Sequence, residues 1–209
     1  MKELFSIFYR KLDLLSVDFE RYKQNEISWN NRLIAITGAR GTGKTTMLLQ
    51  YIRKTFGSRP ENVLYTSLDN IYFTTNRLYD LANDFHLHGG ETLFLDEVHK
   101  YPSWAQEIKN IYDDFPAMKV VFTGSSMLKI FNADADLSRR VRHYQLFGMS
   151  FREFLIFEKL LPKDFDAIPL EEILSNHIAV SQMVTKQVKP LPAFRKYLQY
   201  GYYPYYKRY

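Results

Sequence analysis

Gly38-Ala39-Arg40-Gly41-Thr42-Gly43-Lys44-Thr45 fits the spacing G-x-x-x-x-G-K-[ST], and Thr46 follows it. These residue types in this order serve phosphate binding. The glycines permit a turn tight enough for successive backbone N–H groups to converge on one anion. Lys44 adds a point charge for the outer phosphate oxygens, and the Thr45 hydroxyl can ligate Mg2+. A glycine turn with an accidental lysine is the alternative, and the context argues against it. Leu33-Ile-Ala-Ile36, ending in Thr37, is a short apolar run suited to a strand, whereas Thr45 to Lys54 contains helix formers and no Gly or Pro.

A second group of reactive side chains follows roughly 50 residues downstream. Thr92-Leu-Phe-Leu95-Asp96-Glu97 reads as an apolar strand delivering two carboxylates at its C-terminal end, where an open parallel sheet places its ligands. Asp96 is expected to share Mg2+ with Thr45, and Glu97 to polarise a water aimed at the terminal phosphate. An adjacent Glu favours a hydrolase over a kinase or a passive binder. Lys119-Val-Val-Phe-Thr123-Gly124-Ser125-Ser126 should form a strand lying between the other two in space. A hydroxyl at its end can orient the attacking water or sense the γ-phosphate. Thr123, Ser125 and Ser126 are the candidates, with Ser125 favoured; a hydroxyl-rich helix cap before Met127 is the structural alternative. In Arg139-Arg140-Val141-Arg142-His143, Arg140 or Arg139 could stabilise charge on the γ-oxygens, from the same chain or a neighbour, or the run is a solvated basic turn. His99 is the histidine nearest this chemistry, and His86 and His88 read as surface residues. Beyond the Mg2+ set, no metal-ligand spacing of His and acid occurs.

The elements that must position these groups are legible as periods. Leu4, Phe5, Phe8, Tyr9, Leu12 and Leu15 recur at three- and four-residue spacings, which predicts an amphipathic N-terminal helix. From Arg32 onward five strand candidates alternate with helices: Leu33–Thr37, Val63–Ser67, Thr92–Asp96, Val120–Thr123 and Val141–Leu146. Such alternation means α/β class, a doubly wound five-stranded parallel sheet. Ser103-Trp-Ala-Gln106 and Ser150-Phe-Arg-Glu153 both have capping-box form, so Arg152 and Glu153 are expected at a helix start rather than in catalysis. After Leu161 the texture changes, with Pro162, Pro169, Pro190 and Pro192 separating short helical pieces. The expected organisation is therefore an N-terminal helical segment (1–30), a core (31–160) and a small helical appendage (161–209). Six tyrosines fall in the last ten residues. So aromatic a segment should pack against something.

Composition excludes more than it selects. A net charge of +5, from 28 basic and 23 acidic residues, is mild enough for nucleotide phosphates alone to explain a basic face. Absence of cysteine rules out disulfides, Cys-ligated zinc and thiol catalysis. Charges interrupt residues 1–11 too early for a signal peptide, and no apolar run reaches about 18 residues. A soluble, cytoplasmic protein without membrane partners is expected.

Taken together, Gly38 to Thr46, Leu93-Phe-Leu-Asp-Glu-Val-His99 with Pro102 and Trp104, Thr123-Gly-Ser-Ser126, and Leu146-Phe-Gly-Met-Ser-Phe-Arg-Glu-Phe154 resemble the AAA-type core of a prokaryotic P-loop ATPase family. In that family the core is typically fused to a C-terminal winged-helix or uncharacterised nuclease-like domain. The resemblance covers roughly residues 30 to 205. It implies ATP and Mg2+ as cofactors, residues 38–46 as the nucleotide-binding loop (Walker A, with Lys44 and Thr45), and Asp96 and Glu97 as Walker B. It further implies Ser125 as sensor and Arg140 as the catalytic arginine, so that Lys44, Glu97, Ser125 and Arg140 form the catalytic set, with Thr45 and Asp96 on the metal. Arg139 stands where relatives carry Gly, which leaves open which arginine faces the nucleotide. Gly201-Tyr-Tyr-Pro204 resembles the element that precedes the family's C-terminal domain, which suggests that an effector part is missing here. The implied function is an Mg·ATP-hydrolysing switch or motor for that effector, with self-association through an arginine acting in trans. ATP over GTP rests on the resemblance and on the absence of an Asn-Lys-x-Asp guanine motif. The other readings are a DNA- or RNA-processing ATPase, with nucleic acid met by Arg139–Arg142, Lys207-Arg208 or the missing domain, and a non-hydrolysing nucleotide-binding scaffold.

Overall fold

Strands buried on both faces need no alternation of apolar and polar residues, and the central strands here are continuous apolar runs with polar residues at their ends. The structure, a computed structural model, describes residues 1–124 and 135–208. In it β1 (Leu33–Thr37), β2 (Val63–Ser67), β3 (Thr92–Asp96), β4 (Lys119–Gly124) and β5 (Arg142–Gln145) form one all-parallel sheet in the order β2-β3-β4-β1-β5. Every residue of β1 and of β3 is buried. Parallel neighbours require crossovers, and the helices α3 (Lys44–Phe56), α4 (Leu78–Leu87) and α5 (Trp104–Asp114) supply them. The expected α/β sheet is thus present, and β4 lies between β1 and β3 as its sequence suggested.

The two-residue period of a strand then sorts side chains by face. Register partners in parallel strands point the same way. Tyr65, Phe94 and Val121 therefore share one face, and Ser67, Asp96 and Thr123 continue it towards the C-terminal ends. α3 covers this face, with the rings of Tyr51 and Phe56 6.1 and 6.4 Å from Phe94. On the opposite face Phe122 meets Trp104 of α5 at 5.6 Å.

Helix α1 (Lys2–Asp13) adds its stripe of Leu4, Phe8 and Leu12 to the core, all buried, each worth about 1.5–3 kcal/mol of apolar transfer. The end of this helix and the residues after it are tied to α3: Arg53 Nη1 donates to Leu12 O at 3.1 Å and to Leu15 O at 3.4 Å. One turn earlier on α3, Gln50 Nε2 donates to Ser16 O and Phe19 O at 3.0 and 2.8 Å. Sequence that carries no motif is thereby tied to the helix that follows the glycine loop.

One expected cap is not made. Ser103 precedes α5 with φ −89° and ψ 9°, and its hydroxyl makes no cap bond; Gln106 turns instead to Asn110 at 3.0 Å. A capping side chain reaches the third helical N–H from extended backbone, and Ser103 is already turning. Ser150 is extended (ψ 163°) and forms the full reciprocal box with Glu153, which places Arg152 and Glu153 in the first turn of the helix Phe151–Phe157, as expected.

The chain divides into two compact units, Met1–Phe147 and Gly148–Tyr209. The first contains the sheet. The second is built on aromatic rings: Phe154 lies 5.6 Å from Tyr197 and 6.2 Å from Tyr206, whose hydroxyl donates to Glu158 at 2.6 Å. Of the C-terminal run, Tyr206 packs in this way, whereas Tyr200, Tyr202 and Tyr205 remain exposed. Among the described residues, the helices Leu170–Ser175 and His177–Gln187 bury no side chain.

Candidate functional site

The loop between β1 and α3 closes through backbone that only glycine accommodates. A Cβ on Gly38 would lie 2.2 Å from the Leu146 carbonyl oxygen, and Gly43, at the start of α3, has φ 93°. Thr42 Oγ1 donates back to Ala39 O at 2.9 Å. Ala39 and Arg40 are exposed, Gly41 has φ 86°, and Thr46 is half-buried in the first helical turn. Lys44 is buried and donates from Nζ to Gly38 O at 2.9 Å and Ala39 O at 3.0 Å. Burial pulls its pKa below the ordinary lysine value, and the charges of Glu97 and Asp96 oppose that shift. An ammonium is thus held over the loop with two acidic side chains in electrostatic reach.

Those acids come from β3, and Asp96 is held tightly. Its Oδ2 accepts from Thr45 Oγ1 at 2.6 Å and from Tyr65 Oη at 2.8 Å, while Oδ1 accepts from Thr123 Oγ1 and from the Glu97 N–H at 3.1 Å. Strand register explains the convergence, because Tyr65, Asp96 and Thr123 all lie on the face that α3 covers. Burial, with the neighbouring Asp96 charge, pushes the Tyr65 phenol well above its ordinary pKa, which keeps it a donor. Glu97 occupies left-handed backbone (φ 53°, ψ 40°), rare for a residue with a Cβ. Its N–H is also within 3.2 Å of Thr123 Oγ1, and its Oε2 lies 3.3 Å from His99 Nε2. Glycine loop, Lys44, Thr45, Asp96 and Glu97 are therefore gathered at the C-terminal edge of the sheet, together with His99.

The remaining sequence candidates are not brought into that gathering by any described contact. Ser125 lies outside the described residues; Thr123, which ranked below it on sequence grounds, donates to Asp96 and accepts from the Glu97 N–H. Arg140, at the end of α6 (Ala135–Arg140), is engaged by Asp113 of α5, Nε and Nη2 lying 3.4 and 3.5 Å from its oxygens. Arg139 is exposed.

Two further contributors carried no motif. Tyr65 sits inside a strand that reads simply as core, and only its phase relative to Asp96, set by the β2–β3 register, gives it a role. Arg21 is buried in the segment between α1 and α2 (Lys23–Glu26), where Nη1 donates to the Thr42 carbonyl of the glycine loop and Nη2 to Phe147 O at 2.9 Å. Turning the Thr42 carbonyl onto a guanidinium fixes the loop's backbone from behind.

The family model described as AAA domain matches residues 30–155. An uncharacterised protein of Methanocaldococcus jannaschii, MJ1637, is 31% identical over 203 residues; the match covers 92% of this chain and 42% of that protein, so the chain spans less than half the length of this relative. Among solved structures, a katanin chain superposes with a TM-score of 0.46 at 12% identity, over 84% of this chain and 61% of its own. The FIGL-1 AAA domain gives 0.47 at 12% identity over 83% and 59%, and C. elegans PCH-2 gives 0.41 at 14% over 75% and 45%.

Proposed function

From the premise that this chain belongs to the AAA domain family, we propose that the site at the sheet edge binds Mg·ATP and hydrolyses it. The observation that carries the reading is the convergence of the Lys44 loop and the fully bonded Asp96 on one edge, with Glu97 beside them. The glycine loop and Lys44 bind the phosphates. Lys44 gives up two neutral carbonyls for charged oxygens, so its partners improve when substrate arrives.

Mg2+ fits the donor set. Thr45 Oγ1 spends its proton on Asp96 and so keeps its lone pairs for an ion. The ion would be held by the Thr45 hydroxyl and the substrate's own phosphates, with Asp96, whose oxygens already accept from four donors, orienting that hydroxyl. When bound, the ion neutralises charge that builds on the phosphate oxygens. Glu97 is the group placed to take a proton from the attacking water. Its strained backbone supports a functional assignment, because strain of this kind persists where the surroundings enforce it. Ser125 is retained as the sensor and Arg140 as an arginine supplied to a neighbouring chain. Action on a C-terminal effector, as a switch or motor, is part of the same proposal. Cytoplasmic location is part of the same proposal; no helix among the described residues is long and apolar enough to cross a membrane.

Glu97→Gln tests the assignment. The amide keeps the shape of the side chain but cannot act as a base, so ATP binding should persist while turnover falls by about 10²–10⁴-fold. Turnover at the native rate would remove Glu97 from the mechanism.

A further inference from the structure

We infer that Tyr65 is a positioning residue for the Mg2+ end of this site, acting through Asp96. The inference rests on the function proposed above. A carboxylate offers about four lone-pair positions, and the four donors on Asp96 fill them two to each oxygen. Three belong to parts of the site already described: Thr45, Thr123 and the Glu97 backbone. The fourth is Tyr65, whose hydroxyl shares Oδ2 with Thr45, at 2.8 and 2.6 Å respectively. Two donors on one oxygen fix the carboxylate about its last torsion, and that torsion decides where the Thr45 hydroxyl points its free lone pairs. Without Tyr65 a single donor, Thr45, is left on Oδ2, so the carboxylate turns more easily and Thr45 turns with it.

Tyr65 is itself rigid. Only 2% of it is exposed, Phe8 of α1 packs on its ring at 6.1 Å, and Lys11 Nζ, also on α1, lies 3.5 Å from its hydroxyl and 4.9 Å from the ring centroid. The ammonium can only donate, so it takes a phenol lone pair and leaves the phenol proton to Asp96. α1, which has no residue in the phosphate loop, thus becomes the outer support of the Asp96 carboxylate.

The test uses Tyr65→Phe, which removes one oxygen and keeps the buried ring. Two measurements are made on the full chain. Unfolding without nucleotide is measured for the wild type, Tyr65→Phe, Asp96→Asn and the double variant. Binding of a fluorescent ATP analogue is titrated against Mg2+ and repeated in EDTA. The expected results are non-additive stability changes in the cycle, unchanged affinity in EDTA, and about a tenfold rise in the Mg2+ concentration giving half-maximal binding, the size of one charge-assisted hydrogen bond at the low end of its range. Additive stability changes would show that the hydroxyl does not serve Asp96. A wild-type Mg2+ requirement in Tyr65→Phe, beside normal Mg·ATP binding by the native chain, overturns the positioning role alone. A native chain that binds no nucleotide overturns the functional reading and the role together. Equal losses with and without Mg2+ would reduce Tyr65 to core packing.

Discussion

Replacing Gly38 by alanine adds one methyl group where the structure has no room for it. The new Cβ would lie 2.2 Å from the Leu146 carbonyl oxygen, inside the 3.0 Å that such carbons require, so backbone must separate by about 0.8 Å; Leu146 C at 3.2 Å and Thr42 Oγ1 at 3.3 Å block the simplest sideways escape. Overpacking of this kind costs about 1–3 kcal/mol. Separation also strains the hydrogen bond from Leu146 N to Thr37 O, now 2.7 Å long, adding about 1 kcal/mol. A loss of about 2–4 kcal/mol corresponds to a fall in Tm of about 4–16 °C for a chain of this size. The same shift carries the phosphate-facing N–H groups out of hydrogen-bond range. Losing two such bonds at about 1 kcal/mol each weakens ATP binding about 30-fold. Differential scanning calorimetry and titration with a fluorescent ATP analogue read the two effects separately. A Tm within about 2 °C of the native value together with native affinity would refute the argument, because a contact that close cannot be absorbed without moving either the loop or the end of β5.

Lys44→Ala should weaken ATP binding about 10- to 150-fold, the loss of a charge-assisted contact of about 1.5–3 kcal/mol, and unchanged affinity would sink the phosphate-loop assignment. Arg21→Ala removes both donors to the Thr42 and Phe147 carbonyls; Tm should fall by about 3–12 °C, and Arg21→Lys should recover only part of it because one ammonium lacks the planar fork. Native melting of Arg21→Ala would show that the clamp is incidental. Arg140→Ala should lower kcat far more than ATP affinity, and mixing it with Lys44→Ala should restore hydrolysis if the arginine acts on a neighbouring chain. Asp113 holds Arg140 in the single chain, and native turnover in Arg140→Ala would remove it from catalysis.

The phosphate loop, the two acids at the end of β3 and the strands that carry them are local in sequence. Each depends on a run of fewer than a dozen residues in which glycine freedom, apolar period and a terminal polar residue coincide, and the structure forms β1, β2 and β3 with the residues those runs predict. Pro-separated helices are legible for the same reason. Ser103 and Ser150 mark where local reading ends: both offer the same four-residue pattern, but only Ser150 has the extended backbone a cap needs, and the preceding turn decides that. What surrounds Asp96 is decided later still. Tyr65 precedes it by 31 positions and Thr123 follows it by 27, and both reach it because register in a parallel sheet, set by pairing along whole strands, puts three side chains in phase on one face. Arg21 has even less local signal. Its fork matters only because folding brings the Thr42 and Phe147 carbonyls, 105 positions apart in the chain, to a single buried guanidinium.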